Sequence, residues 1–371
     1  MRKQLTDLCT IQYGYAFDSE SFTTDNSFPP LVRIRDVKRG FSETFYSGDY
    51  PPEYVIHSGD LLVGMDGEFN IARWRSGDAL LNQRVCKISA TRGTDEEYLR
   101  FALQKALKEI EDRTAFVTVK HLSAKELNKL ELDIPDMGEQ ARIAQILCKL
   151  ERVISMREAE LSALDDLIKA RFVEMFGECR ESISAGDLMH NMRNGVSPST
   201  SGKHQEKVLT LSAITQGQFD PNMWKDGIFD AIPAADKRIC STDFYMCRGN
   251  GNKSLVGAGV YSADDRDDLV FPDTVIAASV DTTRVCLPYL FVAWMQPGIR
   301  EQIEAGARTT NGTYKINQQI ISKIKVPLPP LPEQQQFATF VAQIDKSKSV
   351  IQKSLDETQL LFDSLMQQYF G

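Results

Sequence analysis

Leu328-Pro329-Pro330-Leu331-Pro332-Glu333-Gln334 opens a long amphipathic run that ends at Phe370-Gly371. Ile134-Pro135-Asp136-Met137-Gly138-Glu139-Gln140 opens a similar run ending at Phe176-Gly177. Segments 127–177 and 321–371 align without a gap at a constant offset of 194, so the chain is a tandem duplication. Each copy follows a stretch of mixed composition, 1–126 and 178–320, which gives the order variable domain, helix, variable domain, helix.

The apolar spacing says what these runs do. The first places Ile143, Leu147, Leu150, Ile154, Leu161, Leu164, Ile168 and Met175 at alternating steps of three and four, interrupted at Arg157 and Arg171. The second places Phe337, Val341, Ile344, Ile351, Leu355, Phe362 and Tyr369, with Lys348 and Thr358 as polar interruptions. This is a coiled-coil seam. Each stripe is too long and narrow for a small globular domain to cover, so the simplest partner is the other copy. Prolines forbid helix before Pro332, and Glu139 and Glu333 fall in a first turn, where a carboxylate suits the helix dipole. Two duplicated helices in equivalent environments pair about a pseudo-twofold axis and therefore run antiparallel. From Ile143 to Met175 the rod would be on the order of 50 Å long at about 1.5 Å per residue.

The expected fold is thus α+β: two mixed α/β domains separated by two long antiparallel coiled-coil helices, a pseudo-twofold internal duplication. A chain of 371 residues exceeds what one core usually serves. With 42% apolar and 25% charged residues, no apolar run of membrane-spanning length and no signal-peptide core after Met1, the expectation is a cytoplasmic protein. Seven scattered cysteines without a CxxC pair predict neither a disulfide framework nor a zinc site. A net charge of −8 argues against a generic polyanion binder held by bulk charge, so any nucleic-acid contact must be local.

The doubled proline and Glu-Gln helix start, with the opening Leu5-Thr6-Asp7-Leu8-Cys9 through Gly14-Tyr15-Ala16-Phe17 and its echo Gly186-Asp187-Leu188, resembles the specificity (S) subunit of bacterial type I restriction-modification systems. The resemblance covers nearly the whole chain. It implies a non-catalytic DNA-recognition subunit with target-recognition domains at 1–126 and 178–320, each reading one half of a bipartite asymmetric site. The regions 127–177 and 321–371 would hold the Pro-rich starts and the helices that set the unread spacer. Two methyltransferase (modification) subunits would dock on those helices, bringing S-adenosylmethionine, and restriction subunits would add ATP- and Mg-dependent translocation. The chain itself would carry no cofactor and no metal.

Candidate DNA contacts follow from local chemistry. In Pro30–Arg39 the alternation of Val32 and Ile34 with Arg33 and Arg35, followed by Lys38 and Arg39, predicts a strand with one apolar and one cationic face. Leu209 and Leu211 alternating with Thr210 and Ser212 predict the matching strand in the second half. The bland reading is a solvated face with a salt bridge to Asp36. Two glycine-bearing loops follow apolar strands: Gly64 to Asn70, with Arg73 and Arg75 beyond, and Arg248-Gly249-Asn250-Gly251-Asn252-Lys253. Glycine admits close approach to phosphate, and Asn, Lys and Arg reach base edges. Arg308, Thr310, Asn311, Tyr314 and Lys315 form a third candidate, with Arg113 to Lys120 as its counterpart. Tyr98-Leu99 with Ala102, and Tyr289-Leu290 with Ala293, read as core.

Catalysis is weakly supported, since there is no GxxxxGK[ST] or GxGxxG loop, no Asn- or Asp-Pro-Pro-aromatic tetrapeptide, and no paired histidine spacing among His57, His121, His190 and His204. Two further readings stay open: a specificity subunit serving a fused type II restriction-methyltransferase, and a coiled-coil connector without a DNA role.

Overall fold

The computed structural model describes residues 1–113, 121–310 and 312–371. These divide into two compact units, Met1–Ala159 with Gln352–Gly371, and Glu160–Ile351.

In the first unit a four-stranded antiparallel sheet runs in the order Cys9–Tyr13, Val85–Ala90, Leu61–Gly64, Ile71–Arg73. A smaller sheet pairs Leu31–Val32 in parallel with Ala79–Leu81, which also carries Val55–Ile56 on its other edge. In the second unit the four-stranded antiparallel order is Met189–Asn194, Val275–Val280, Asp243–Cys247, Gly259–Tyr261. Its companion sheet pairs His204–Leu209 in parallel with Arg266–Val270. The two units therefore repeat one frame, and the residues expected in the core lie there. Tyr98, Leu99 and Ala102, like Tyr289, Leu290 and Ala293, are buried.

The long helices span Met137–Phe176 and Leu331–Phe370, forty residues each, and their ends keep the offset of 194. They run antiparallel, as each unit shows by itself. In the first, Ile143 and Leu147 are buried in one cluster with Phe362 and Met366, with Leu150 and Ile154 packed against it, and the Arg142 guanidinium lies 5.8 Å from the Tyr369 ring centre. In the second, the Phe172 and Phe176 rings each lie 5.6 Å from Phe337, and Lys348 Nζ donates to Asp165 at 2.6 Å. That ion pair accounts for one polar interruption of the stripe.

The stripes are not covered by helix alone. Ile168, Phe337 and Val341 are buried, and Ile344 half-buried, in one cluster with Tyr289, and Phe101 meets Phe362 at 6.0 Å between ring centres. Each helix end thus belongs to a globular core as well. Ile351 is buried, while Leu161, Leu164 and Leu355 are half-buried.

The Glu-Gln start of each helix has a structural reason. Gln140 and Gln334 are 1% and 0% exposed. The Gln334 amide accepts from the Cys286 N–H at 3.0 Å and donates to the Pro329 and Arg284 carbonyls at 2.8 and 3.1 Å. Gln140 repeats the pattern, accepting from the Asp95 N–H at 2.8 Å and donating to Pro135 O at 2.9 Å. These amides tie each helix to the loop ahead of a core helix. Where the second copy has prolines the first has Asp136, whose carboxylate accepts the Glu139 N–H at 3.0 Å and so caps the helix. Gln334→Ala should cost about 2–3 kcal/mol, because buried backbone donors and acceptors lose their partners. Urea denaturation of the variant checks this; a loss below about 0.5 kcal/mol would make the amide incidental.

The strand predicted over residues 30–39 is corrected. Strand ends at Val32 and a short helix spans Ile34–Arg39. The fully buried Asp36 takes the Arg33 N–H at 2.9 Å, and Gly40, at φ 74, stops the helix in the left-handed region. Local capping therefore outweighs the alternation. The matching stretch behaves alike, with strand to Leu209 and a helical turn at Ser212–Thr215.

Candidate nucleic-acid interface

Parallel strands leave their sheet in the same direction, so the segments that follow them emerge side by side. In the first unit these are Arg33-Ile34-Arg35 after Leu31–Val32 and Asn82-Gln83-Arg84 after Ala79–Leu81. With Phe17, Ser19 and Phe22 they line a cleft of about 460 Å³. The second segment is a tight turn: the Val85 N–H donates to Asn82 O at 2.9 Å, Asn82 Oδ1 accepts the Gln83 N–H at 2.8 Å, and Arg84 O accepts the Met65 N–H at 3.0 Å. Gln83 and Arg84 stand exposed at its tip. The Arg33 side chain is exposed with no carboxylate partner among the described residues, whereas Arg84 reaches Asp66 at 3.1 Å. Arg35 keeps the bland contact to Asp36, at 3.7 Å.

The second unit repeats the backbone hydrogen bonds of this junction, while Pro272 offers no side-chain acceptor to match Asn82 Oδ1. The Val275 N–H donates to Pro272 O at 3.0 Å and the Arg248 N–H to Thr274 O at 2.8 Å, and the Ala213 N–H meets Thr210 O at 3.1 Å as the Asp36 N–H meets Arg33 O at 2.9 Å. Arg33, Arg35, Gln83 and Arg84 therefore correspond to Thr210, Ser212, Asp273 and Thr274. The apolar alternation pairs Arg33 and Arg35 with Thr210 and Ser212, whereas the other two positions lie in a turn that carries no motif of its own. Gly14 and Gly195 were the available signal. Each is crossed by the turn, and an added Cβ would stand 2.0 Å from Asn82 O or 2.1 Å from Phe271 O.

The loop after Asp243–Cys247 and the segment around 308–315 come together. Gly249–Asn250 pairs with Thr313–Lys315, which pairs with Arg308–Thr310. Arg308 and Lys315 are directly opposed across this hairpin, both exposed and without a carboxylate partner among the described residues. Like charges so placed repel. Arg248 lines a neighbouring cleft of about 350 Å³ with Asn194, Asn317, Gln318 and Gln319, and donates to Asp273 O at 3.1 Å. Tyr314 is half-buried.

Most other candidates are engaged in folding. Arg73 is held by Glu96, at 2.9 Å, and by Glu97. Burial pushes the Glu97 carboxyl up, but hydrogen bonds and charge from Arg100 and Arg73 outweigh it and hold its pKa below the ordinary value. Lys38 pairs with Glu68, and Arg39 pairs with Glu43 at 2.9 Å. Asn250 and Asn252 accept backbone N–H groups at 2.9 and 3.1 Å, shaping their own loop. Asn70 donates to Glu68 O at 3.1 Å, Arg75 is exposed beside Gly40, and Lys253 is exposed. Thr310 lies in its strand; Lys120 and Asn311 fall outside the described residues. Among the described residues no group of three His, Cys, Asp or Glu could hold a metal, and no helix is long and apolar enough to cross a membrane.

Each unit thus repeats one α+β frame and carries one end of each long helix, while the side chains at the corresponding junctions differ. Residues 1–165 and 301–358, more than half of the chain, match the type I restriction modification DNA specificity domain, and the chain belongs to that family. It is 39% identical over 170 residues to the type I restriction enzyme EcoBI specificity subunit of Escherichia coli, covering 46% of this chain and 36% of that one. It is 22% identical over 280 residues to the EcoKI specificity subunit of Escherichia coli (strain K12), covering 70% of this chain and 60% of that one. The chain thus spans between about a third and three fifths of these curated relatives. The S subunit of a type I restriction-modification system from M. genitalium shares the fold over 100% of this chain and 96% of its own, at TM-score 0.59 and 14% identity. A structure described for complex assembly and conformational transition of the type I R-M system shares it over 100% and 97%, at TM-score 0.54 and 15% identity.

Proposed function

We propose that this chain reads a bipartite, asymmetric DNA site without catalysing a reaction. Residues 1–126 and 178–320 act as target-recognition domains, one per half-site, and the helix-bearing regions 127–177 and 321–371 set the unread spacer and dock two methyltransferase subunits. Those subunits supply S-adenosylmethionine and adenine methylation; restriction subunits bring ATP- and Mg-dependent chemistry. The observation that carries this is one backbone frame used twice with different side chains at its junctions, Arg33, Arg35, Gln83 and Arg84 exposed in the first unit, and Thr210, Ser212 and Asp273 half-buried beside an exposed Thr274 in the second. A connector without a DNA role needs no such divergence.

Expression with the cognate methyltransferase, followed by mapping of methylated adenines, tests it. Two half-sites separated by a constant unread spacer are expected, and exchanging residues 178–320 for those of a relative should change one half-site only. Methylation without sequence preference would overturn the reading. At −8 overall, the isolated chain should bind DNA poorly and gain tight specific binding only with its partner.

The hairpin of Arg308 and Lys315 gives a prediction with opposite signs. Lys315→Glu replaces repulsion by attraction and should stabilise the second unit by about 0.5 kcal/mol, measured by thermal unfolding. DNA binding of the assembled complex should weaken, and its slope of log affinity against log salt should fall by roughly one. Unchanged binding would place the hairpin away from DNA.

A further inference from the structure

We infer that the junction of Arg33, Gln83 and Arg84 is a base-reading site for guanine in one half-site, and that its counterpart of Thr210, Asp273 and Thr274 reads a different base pair. This rests on the proposed DNA-recognition role and goes beyond it by naming positions and chemistry. Both junctions lie on turns whose backbones are hydrogen-bonded alike, so the side chains are presented on a fixed frame. The decisive contrast is at the turn tip. Gln83 in one unit corresponds to Asp273 in the other, and a carboxylate repels phosphate. A position that is neutral or acidic within a repeated frame does not suit a common backbone contact. Base edges accommodate both, since guanine offers two acceptors, O6 and N7, to a guanidinium, while cytosine N4 offers a donor to a carboxylate. Arg33 is the strongest reader in the first cleft, being exposed and without a carboxylate partner among the described residues.

The test uses the full chain assembled with its methyltransferase and maps methylated sites for wild type, Arg33→Ala, and the double variant Gln83→Asp with Arg84→Thr. The half-site that responds should contain guanine on one strand. Arg33→Ala should relax that position by about 10- to 100-fold in relative methylation while leaving the other half-site intact. The double variant, which installs the second unit's residues, should change base preference in the same half-site. A responding half-site without guanine, or an equal loss of methylation at all sites, would overturn the inference and make these arginines phosphate contacts. Failure of the wild-type complex to methylate specifically would instead remove the underlying function.

Discussion

Gly195→Ala should unfold the second unit or come close to it. The new Cβ would stand 2.1 Å from Phe271 O, and 2.3 Å from Pro272 O. Those atoms are backbone, held in place because the Val196 N–H donates to Phe271 O at 3.1 Å and the Val275 N–H to Pro272 O at 3.0 Å. Neither can retreat without breaking the strand order around it. Overpacking typically costs about 1–3 kcal/mol, and a clash with fixed backbone belongs at or above the top of that range. A loss of about 3 kcal/mol or more is expected by urea denaturation, with hydrogen-exchange protection lost in residues 178–320. Gly14→Ala should do the same to the first unit, where the Cβ meets Asn82 O at 2.0 Å. Gly298→Ala is the control, for its Cβ would meet nothing within 4 Å and the residue lies in the helix Pro297–Gly306. A cost for Gly195→Ala no larger than the control's would mean that the turn does not cross there.

Sequence periodicity carried the parts of this fold that depend on local order. The stripes from Ile143 to Ile168 and from Phe337 to Phe362 identify two helices, and their offset of 194 reappears in the helix ends. What periodicity misses is long-range pairing. Arg73 looks available in sequence, but its carboxylate partners Glu96 and Glu97 come from a different element. Alternation over Val32 to Arg35 suggests strand, yet buried Asp36 and the left-handed Gly40 impose a helix after two strand residues. Apart from Gly14, which the turn crosses, nothing local marks Gln83 and Arg84. Their place beside Arg33 follows only from the parallel pairing of Val32 with Leu81.

The spacer prediction rests on the proposed ruler role of the two helices. A forty-residue helix is about 60 Å long at 1.5 Å per residue, equivalent to about eighteen base pairs at 3.4 Å each. Inserting seven residues after Ser155 preserves the heptad seam and lengthens that helix by about 10 Å, or about three base pairs. A single insertion leaves its partner short, so apolar positions such as Ile351 and Phe362, 8% and 7% exposed, lose their register. Such a variant should be inactive or bent. A matched insertion after Ser349 restores the register, and methylation should return at unchanged half-sites with a spacer about three base pairs longer. Three base pairs also turn one half-site by about 0.3 of a helical turn relative to the other, so methylation should be slower than wild type. Methylated-adenine mapping of the double insertion decides the matter: the original spacing retained would show that these helices do not measure DNA.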